Sequence, residues 1–228
     1  MTALFDMDGT LFAGDSQLRF ARWLLRRHGW RRLYLLLVLP CGLLRGLRLL
    51  SGDQMKRAFL SFAWNLSKEE LQKECEDFVQ QELLPAVFPE LLQRLRKHRQ
   101  EGDVTVLCSA SPDVWVHLLG ERLGFTCSIG TPVEIQERVP LFPRLSPPGN
   151  NKGEHKITRL RRLGITQADI GYTDSAADLP MLSLCRKAVL VHPSPRLRHR
   201  LPEAECLTPP RPGHWSRLFF PLRCVAGI

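Results

Sequence analysis

The sequence predicts an α/β fold, in which a Rossmann-like parallel sheet carries helices on both faces and a helical segment is inserted after the first strand. Three observations support this prediction. Short β-rich runs alternate with amphipathic helical segments, which is typical of parallel strands joined by right-handed crossovers. Acidic or hydroxyl side chains directly follow three of the predicted strands. The stretch between the first two strands is helical, basic and rich in leucine.

The first predicted strand ends in Ala3-Leu4-Phe5 and leads into Asp6-Met7-Asp8-Gly9-Thr10. In extended backbone, side chains two residues apart point the same way, so Asp6 and Asp8 can face one small volume. Gly9 lets the chain turn away directly after them. A surface turn is the alternative for such a run taken alone, because acidic residues beside glycine are common in turns.

The predicted elements follow in order along the chain. Ser67 with Glu70 has the pattern of a helix N-terminus, and Gly124 that of a helix end. Residues from Pro193 onward are rich in proline and are predicted to be irregular. The predicted helices cover residues 17–28, 53–84, 87–100, 114–123, 152–163 and 180–186, and the predicted strands cover 3–5, 104–108, 133–135, 170–173 and 188–191.

Two later strands also end in polar residues. Residues 104–108 are followed by Ser109 and Ala110, and residues 170–173 are followed by Asp174 and, four positions on, Asp178. The carboxyl ends of parallel strands meet at one edge of the sheet, where ligands bind in such folds. These motifs therefore predict one site, although a helix-cap role is the alternative for Ser109 and Asp178.

Lys152 begins a predicted helix in the run Lys152-Gly153-Glu154. A cation at this position opposes the helix dipole, which favours anions at a helix N-terminus. The unfavourable placement indicates a functional role for the lysine.

The net charge of +9 is concentrated in one region. Residues 16–52 contain eight arginines and no acidic residue, and subtracting this +8 from the total of +9 leaves about +1 for the remainder. Within this region, the twelve residues 33–44 are uncharged and mostly apolar, with arginines on both sides. We expect Pro40 and Gly42 to interrupt a helix there.

This segment favours an interfacial or re-entrant position on an anionic membrane surface. Twelve residues are too few to span a bilayer, so a spanning helix would have to extend to Leu50 and include two arginines. A buried helical hairpin within a small domain is the other alternative. Arginines interleaved with Trp23, Trp30 and Tyr34 also suit nucleic acid, but the amount of apolar surface argues against it and no nucleic-acid partner is expected.

Seven cysteines without C-x-x-C spacing argue against a disulfide framework or a zinc site and fit a reducing compartment. No basic and apolar leader precedes the first strand. We therefore expect a cytoplasmic protein, peripheral or monotopic on the cytoplasmic face of a membrane.

In their order along the chain, the four motifs resemble those of the haloacid dehalogenase superfamily of aspartate-nucleophile phosphatases. The resemblance rests on Asp6-Met7-Asp8-Gly9-Thr10, Ser109, Lys152 and the pair Asp174 and Asp178. It implies a catalytic core formed by residues 1–15 and 85–210, a cap formed by residues 16–84, and an irregular tail, 211–228. The long helical insertion is similar to the cap of the phosphoserine-phosphatase-like branch. Within that branch, residues 24–27, 37–40 and 62–64 resemble the bacterial phosphatidylglycerophosphatase C family.

The resemblance also implies roles for the motif residues. Asp6 is the expected nucleophile that forms an aspartyl-phosphate, and Asp8 the expected acid and base. Mg²⁺ is the expected cofactor, with Asp6, the Asp8 backbone carbonyl, Asp174 and the supporting Asp178 as its ligands. Ser109, Lys152 and the backbone N–H of Ala110 are expected to hold phosphate oxygens.

Three residues are candidates for substrate selection. Asp15 lies where phosphoserine phosphatases carry a glutamate that reads the substrate ammonium, and the shorter side chain indicates a different substrate. Arg19 and Arg57 are candidate cap contacts, although Arg57 has an ion pair with Asp53 as an alternative. The favoured substrate is an anionic phospholipid head group, phosphatidylglycerophosphate, and a soluble metabolite is the alternative.

Overall fold

The computed structural model describes residues 1–210, so the predicted irregular tail, 211–228, lies outside the described residues. The strands are β1 Thr2–Phe5, β2 Val104–Pro112, β3 Cys127–Thr131, β4 Ala168–Thr173, β5 Cys185–Val191 and β6 Glu205–Leu207. The α-helices are α1 Ser16–Arg27, α2 Leu35–Gly46, α3 Gly52–Leu60, α4 Lys68–Phe78, α5 Pro89–Gln100, α6 Asp113–Leu123, α7 Glu154–Arg162, α8 Leu179–Leu182 and α9 Pro195–Arg200. Short 3-10 helices cover Gly29–Tyr34, Ser61–Ala63, Leu84–Ala86 and Ala176–Asp178, and a π-helix covers Val79–Leu83.

The six strands form one parallel sheet in the order β3-β2-β1-β4-β5-β6. The chain adds β2 and β3 on one side of β1 and then crosses to add β4, β5 and β6 on the other side. The strand order therefore reverses at β1, and the crevice at its carboxyl end is where such sheets bind ligands. The predicted α/β class and parallel sheet are confirmed.

Successive side chains of β1 point to opposite faces of the sheet, and an apolar cluster covers each face. Ala3 and Phe5 belong to one apolar cluster, and Leu4 belongs to another that includes Leu160 of α7 and Met181 of α8. All three β1 side chains are fully buried. A central strand covered on both faces is expected to be continuously apolar, as this one is.

The insertion packs closely against the core. Phe20 of α1 and Phe78 of α4 lie with their ring centroids 4.9 Å and 6.1 Å from that of Trp115 of α6. The Trp23 indole N–H donates to Glu74 at 2.8 Å, which ties α1 to α4. Ser67 and Glu70 form the predicted capping box at the start of α4. These contacts fix α1 and α4, and with them the entrance to the crevice.

Several predicted elements differ from the structure. The predicted helix 53–84 is interrupted before α4 begins at Lys68, and the predicted helix 180–186 ends at Leu182, before β5 begins at Cys185. Helix α2 continues through Pro40 instead of ending there. Pro40 is exposed, so the Leu36 carbonyl that loses its N–H partner can face solvent. Residues 133–135 form no sheet strand, and only an isolated bridge joins Val133 to Leu145. The sheet position that they were predicted to fill is occupied by β3.

The proline-rich stretch after Pro193 is also more ordered than predicted. It contains α9 and β6, which pairs with β5. Ser194 caps α9 and Pro195 occupies its first turn, where the missing N–H costs nothing. In this stretch, proline marks the start of a helix rather than irregular structure.

None of the helices in residues 1–210 combines the length and the apolar character needed to cross a bilayer.

Candidate active site

A polar cavity of about 420 Å³ opens at the carboxyl ends of β1, β2 and β4. The predicted motifs meet there, because each of these strands delivers the polar residues that follow it to the same edge. The lining residues are Asp6, Asp8, Gly9, Ala13, Gly14, Asp15, Ser109, Ala110, Lys152, Lys156, Asp174, Ser175, Ala177 and Asp178.

At the base of the cavity, Lys156 joins two of the carboxylates. Its Nζ lies 2.6 Å from Asp6 Oδ1 and 2.7 Å from Asp178 Oδ1, and all three side chains are buried. Burial raises the pKa of Asp6, and the nearby ammonium opposes that rise. Burial opposes the charge on Lys156, but Asp6 and Asp178 raise its pKa above the ordinary value for lysine. The lysine therefore stays protonated and favours the ionised form of Asp6.

The hydroxyl group of Thr10 links Asp174 to Asp6. The Thr10 Oγ1 lies 3.3 Å from Asp6 Oδ2 and 3.4 Å from Asp174 Oδ1, and it accepts the Asp174 backbone N–H at 3.0 Å. Gly9, at φ +80°, allows this approach because a Cβ at that position would lie 2.2 Å from Asp174 Oδ2. Burial, followed by the charge of Asp178, raises the pKa of Asp174 to about 6.

Asp8 has a different environment from Asp6. Its carboxylate accepts the Ser16 backbone N–H at 2.8 Å and the hydroxyls of Ser16 and Ser111. Trp115 donates to Ser16 Oγ at 3.1 Å and holds that hydroxyl in place. Burial, and then the charge of Asp15, raise the pKa of Asp8 to about 6, against the lowering effect of the two serines. A carboxyl group with this pKa can both donate and accept a proton near neutral pH.

The end of β2 forms the opposite wall of the cavity. Ser109 is fully buried, and its Oγ accepts the Ser111 backbone N–H at 3.0 Å. Lys56 of α3 donates to the Ala110 carbonyl at 2.6 Å, so the insertion contacts the wall directly. Burial lowers the pKa of Lys56 to about 8, against the attraction of Asp15, Asp8 and Asp53.

Of the remaining predicted residues, Lys152 and Asp15 line the cavity. Lys152 is exposed at its edge, and Asp15 also caps α1 by accepting the Leu18 N–H at 3.0 Å. Arg19 and Arg57 do not line the cavity. Arg19 donates to the Ala13 carbonyl at 2.7 Å and lies over the ring of Phe12.

Arg57 was predicted as a candidate cap contact to the substrate, with an ion pair to Asp53 as the alternative. It does not line the cavity, and the described residues show no ion pair between it and Asp53. It donates to the carbonyls of Phe142 and Pro143. Successive residues on a helix point about 100° apart. The helix therefore directs Lys56, rather than its neighbour, towards the Ala110 carbonyl in the cavity wall.

The side chains at the base of the cavity fit a hard divalent cation. Asp6, Asp174 and Asp178 carry three negative charges when ionised, and Lys156 supplies one positive charge, which leaves a net charge of −2. Carboxylate oxygens are the ligands that Mg²⁺ prefers. Asp6 and Asp174 would hold the ion together with the Asp8 backbone carbonyl, and Asp178 would support the site through Lys156.

Sequence reasoning missed four residues of this arrangement: Lys156, Lys56, Ser16 and Ser111. Lys156 lies one helical turn after Lys152, and its spacing from the flanking apolar residues Ile157 and Leu160 was the available signal for an inward-facing position. The two serines carried no signal, because isolated serines near strand ends and helix starts are common.

Comparison with known proteins shows the family of this chain. The family model described as haloacid dehalogenase-like hydrolase matches residues 3–183. A phosphoserine phosphatase of Mycobacterium tuberculosis is 28% identical over 207 residues, which cover 86% of this chain and 66% of that protein. A histidinol-phosphatase of Neisseria meningitidis is 26% identical over 219 residues, covering 88% of this chain and 94% of that protein.

The same fold occurs in a solved structure of a Bordetella pertussis protein of unknown function. It superposes with a TM-score of 0.77 at 22% identity and covers 91% of this chain and 97% of that one.

Proposed function

The chain belongs to the haloacid dehalogenase-like hydrolases, and from that premise we propose that it is a Mg²⁺-dependent phosphatase that hydrolyses a small phosphate monoester through an aspartyl-phosphate on Asp6. The observation that carries this proposal is the contrast between two neighbouring carboxylates. Asp6 is held by an ion pair with a buried lysine, whereas Asp8 is held by hydroxyl and N–H donors and, within residues 1–210, forms no ion pair. Two carboxyl groups in such different environments suit a nucleophile and an acid–base.

In the first half of the reaction, an Asp6 carboxylate oxygen attacks phosphorus and the bond to the leaving oxygen breaks. Protonated Asp8 gives its proton to that oxygen, so the alcohol leaves neutral. Lys156 donates to Asp6 Oδ1 and orients the carboxyl group, and its charge opposes the rise in the pKa of Asp6 that burial causes. Ser109, Lys152 and the Ala110 N–H bind the phosphoryl oxygens, and Mg²⁺, when bound, supplies positive charge that offsets the dianion.

In the second half, Asp8 has become a carboxylate and can take a proton from water. That water attacks the phosphoryl group on Asp6, which releases inorganic phosphate and restores the free carboxylate. Ser16 and Ser111 orient Asp8 through both steps, since their donors contact its two oxygens. Each group thus returns to its starting state.

Two findings favour a small-metabolite ester as the substrate. Phosphoserine and histidinol phosphate, which the names of the two relatives denote, are both small phosphate monoesters. The cavity volume of about 420 Å³ is within the ordinary range for small-molecule sites. The cap charges Asp15 and Lys56 at its entrance would select among such esters.

An anionic phospholipid head group, such as that of phosphatidylglycerophosphate, is the second candidate. The observation in its favour is a row of exposed leucines on α2, the helix that packs against α3. The head group of such a lipid is itself a small phosphate monoester, so the same chemistry applies.

The test is Mg²⁺-dependent phosphate release by the purified protein from phosphoserine, histidinol phosphate, sugar phosphates and phosphatidylglycerophosphate in vesicles. We expect turnover of at least one soluble ester and none by Asp6→Asn, which also controls for contaminating phosphatases. Turnover of the lipid alone would replace the first candidate by the second. Equal turnover by wild type and Asp6→Asn would refute the proposed chemistry.

A further inference from the structure

Helix α2 is apolar on both its inner and its outer side. On the inner side, Val38 is buried and Leu35 and Leu37 pack against the main apolar cluster. On the outer side, Leu36, Leu39 and Leu43 are 75%, 57% and 68% exposed, and Leu47, directly after the helix, is 61% exposed. Spacings of three, four and four residues place these four side chains along one stripe, which we call the leucine face.

An exposed stripe of this kind is characteristic of a binding surface, since helices that are apolar all round are normally covered. We propose that the leucine face docks into the interfacial layer of an anionic lipid bilayer, with α2 lying in the plane of the surface. This proposal is independent of which phosphate ester the cavity hydrolyses.

Exposed aromatic side chains near the start of α2 support a lipid surface as the partner. Trp30 is 53% exposed and Trp64 is 40% exposed. Both contact Tyr34, directly before α2, with ring centroids at 5.8 Å and 5.9 Å. Tryptophan and tyrosine are enriched at the level of lipid head groups, because their rings are apolar and also carry a hydrogen-bonding group.

The positive charges beside the leucine face indicate that the lipid surface is anionic rather than neutral. Arg32, Arg45 and Arg48 flank the leucine face along the chain and are exposed. Within residues 1–210, none of these three forms an ion pair, and no acidic residue occurs from position 16 to 52. Basic residues beside an apolar helix face are attracted to the negative potential of anionic lipids.

The same charge argues against two other occupants of the leucine face. A symmetric dimer through this face would bring Arg32, Arg45 and Arg48 of the two copies near one another, and like charges at close range repel. Residues 211–228 contain Arg211, Arg217 and Arg223 and no acidic residue, so this part of the sequence does not complement the arginines either.

Docking through α2 would also bring the cavity entrance near the membrane. Helix α3 packs against α2 and carries Lys56, which donates to the Ala110 carbonyl in the cavity wall. An ester at or near the surface would therefore reach the site over a short path.

The test is binding of the full chain to vesicles of phosphatidylcholine alone and of phosphatidylcholine mixed with phosphatidylglycerol. We expect binding to the mixed vesicles, and a loss of about a hundredfold or more in the variant Leu36→Ser/Leu39→Ser/Leu43→Ser, since each leucine would no longer enter the apolar layer. Leu141→Ser/Leu163→Ser is the matched control, because these leucines are 42% and 53% exposed elsewhere, and it should bind as wild type does. Arg32→Gln/Arg48→Gln should weaken binding to the mixed vesicles about tenfold or more and reduce its salt dependence.

Hydrolysis of a soluble ester by each variant shows whether its core is intact, and it separates failure of docking from failure of the proposed chemistry. If the leucine variant does not fold, quenching of wild-type tryptophan fluorescence by brominated phosphatidylglycerol takes its place. We expect quenching that is lost in Trp30→Phe/Trp64→Phe. Absence of wild-type binding, undiminished binding by a folded leucine variant, or a wild-type dimer that this variant converts to monomer would each overturn the proposal.

Discussion

The cavity and the leucine face are opposite in what they bury and what they expose. In the cavity, charged side chains are buried and nearly every one has a named partner, as Asp6 has Lys156 and Asp8 has Ser16 and Ser111. On α2, apolar side chains are exposed and no described residue covers them. Both arrangements leave groups that a binding partner would stabilise, and we propose a phosphate ester with its cation for the first region and a lipid surface for the second.

The comparison predicts different consequences for substitutions in the two regions. Changes in the cavity should abolish activity or destabilise the fold, because buried charges depend on one another. Substitutions on the leucine face should leave both the activity and the stability of the fold almost unaltered.

The largest expected effect is that of Asp8→Asn. With an alkyl phosphate such as phosphoserine, we expect kcat to fall about a thousandfold, because the leaving oxygen is no longer protonated. With p-nitrophenyl phosphate, whose leaving group needs no proton, stopped-flow absorbance should show a burst of about one nitrophenolate per site, followed by slow hydrolysis of the phosphoenzyme. A steady rate like that of wild type would exclude Asp8 as the acid–base.

Lys156→Met should destabilise the protein by roughly 3–5 kcal/mol, because it leaves Asp6 and Asp178 buried without their shared cation. Urea unfolding followed by circular dichroism measures this change. The matched control is Lys152→Met, whose exposed side chain should contribute less than about 0.5 kcal/mol. Equal destabilisation by the two variants would contradict the assignment of Lys156 as the buried lysine of the site.

Lys56 should make substrate affinity depend on pH. Burial lowers its pKa to about 8, so its ammonium, which attracts a phosphate dianion, is present below that pH and lost above it. We expect KM for a soluble ester to rise about tenfold between pH 7 and pH 9. Lys56→Arg keeps its charge throughout this range and should remove the rise. A KM that rises equally in wild type and Lys56→Arg would assign the titration to another group.

The smallest expected effect is that of Leu36→Ser, which should change the free energy of unfolding by less than about 0.5 kcal/mol because the side chain is 75% exposed. Leu24→Ala provides the contrast, since Leu24 is fully buried and its truncation should cost about 2–5 kcal/mol. Thermal and urea unfolding of the two variants measure the difference. A large loss in Leu36→Ser would show that the leucine face is covered in the free protein.

The sequence was informative where a residue's position follows from the backbone. Asp6, Asp8, Asp174 and Asp178 follow strand ends, and parallel strands bring such positions to one edge. The sequence was less informative where the rotation of a helix about its axis determines which side chains contact the site. Lys152 and Lys156 are one turn apart and Lys56 and Arg57 are adjacent. Only the packing of α7 and α3 shows that Lys156 pairs with Asp6 and that Lys56 contacts the cavity wall.

Proline was the other source of error. Pro40 was expected to end a helix, and the residues after Pro193 were expected to be irregular, yet α2 continues and α9 and β6 form. In both places the surroundings allow the proline: at α2 it lies on an exposed part of the helix, and at α9 it lies in a capped first turn.

The most direct test of the proposed chemistry is to identify the residue that becomes phosphorylated. The wild-type protein and Asp6→Asn are mixed with Mg²⁺ and a turned-over ester, quenched in acid, and digested for mass spectrometry. The account predicts one phosphoryl group on the peptide that contains Asp6 in the wild type, and none in Asp6→Asn. A phosphoryl group on any other residue, or phosphate release that continues undiminished in Asp6→Asn, would contradict it.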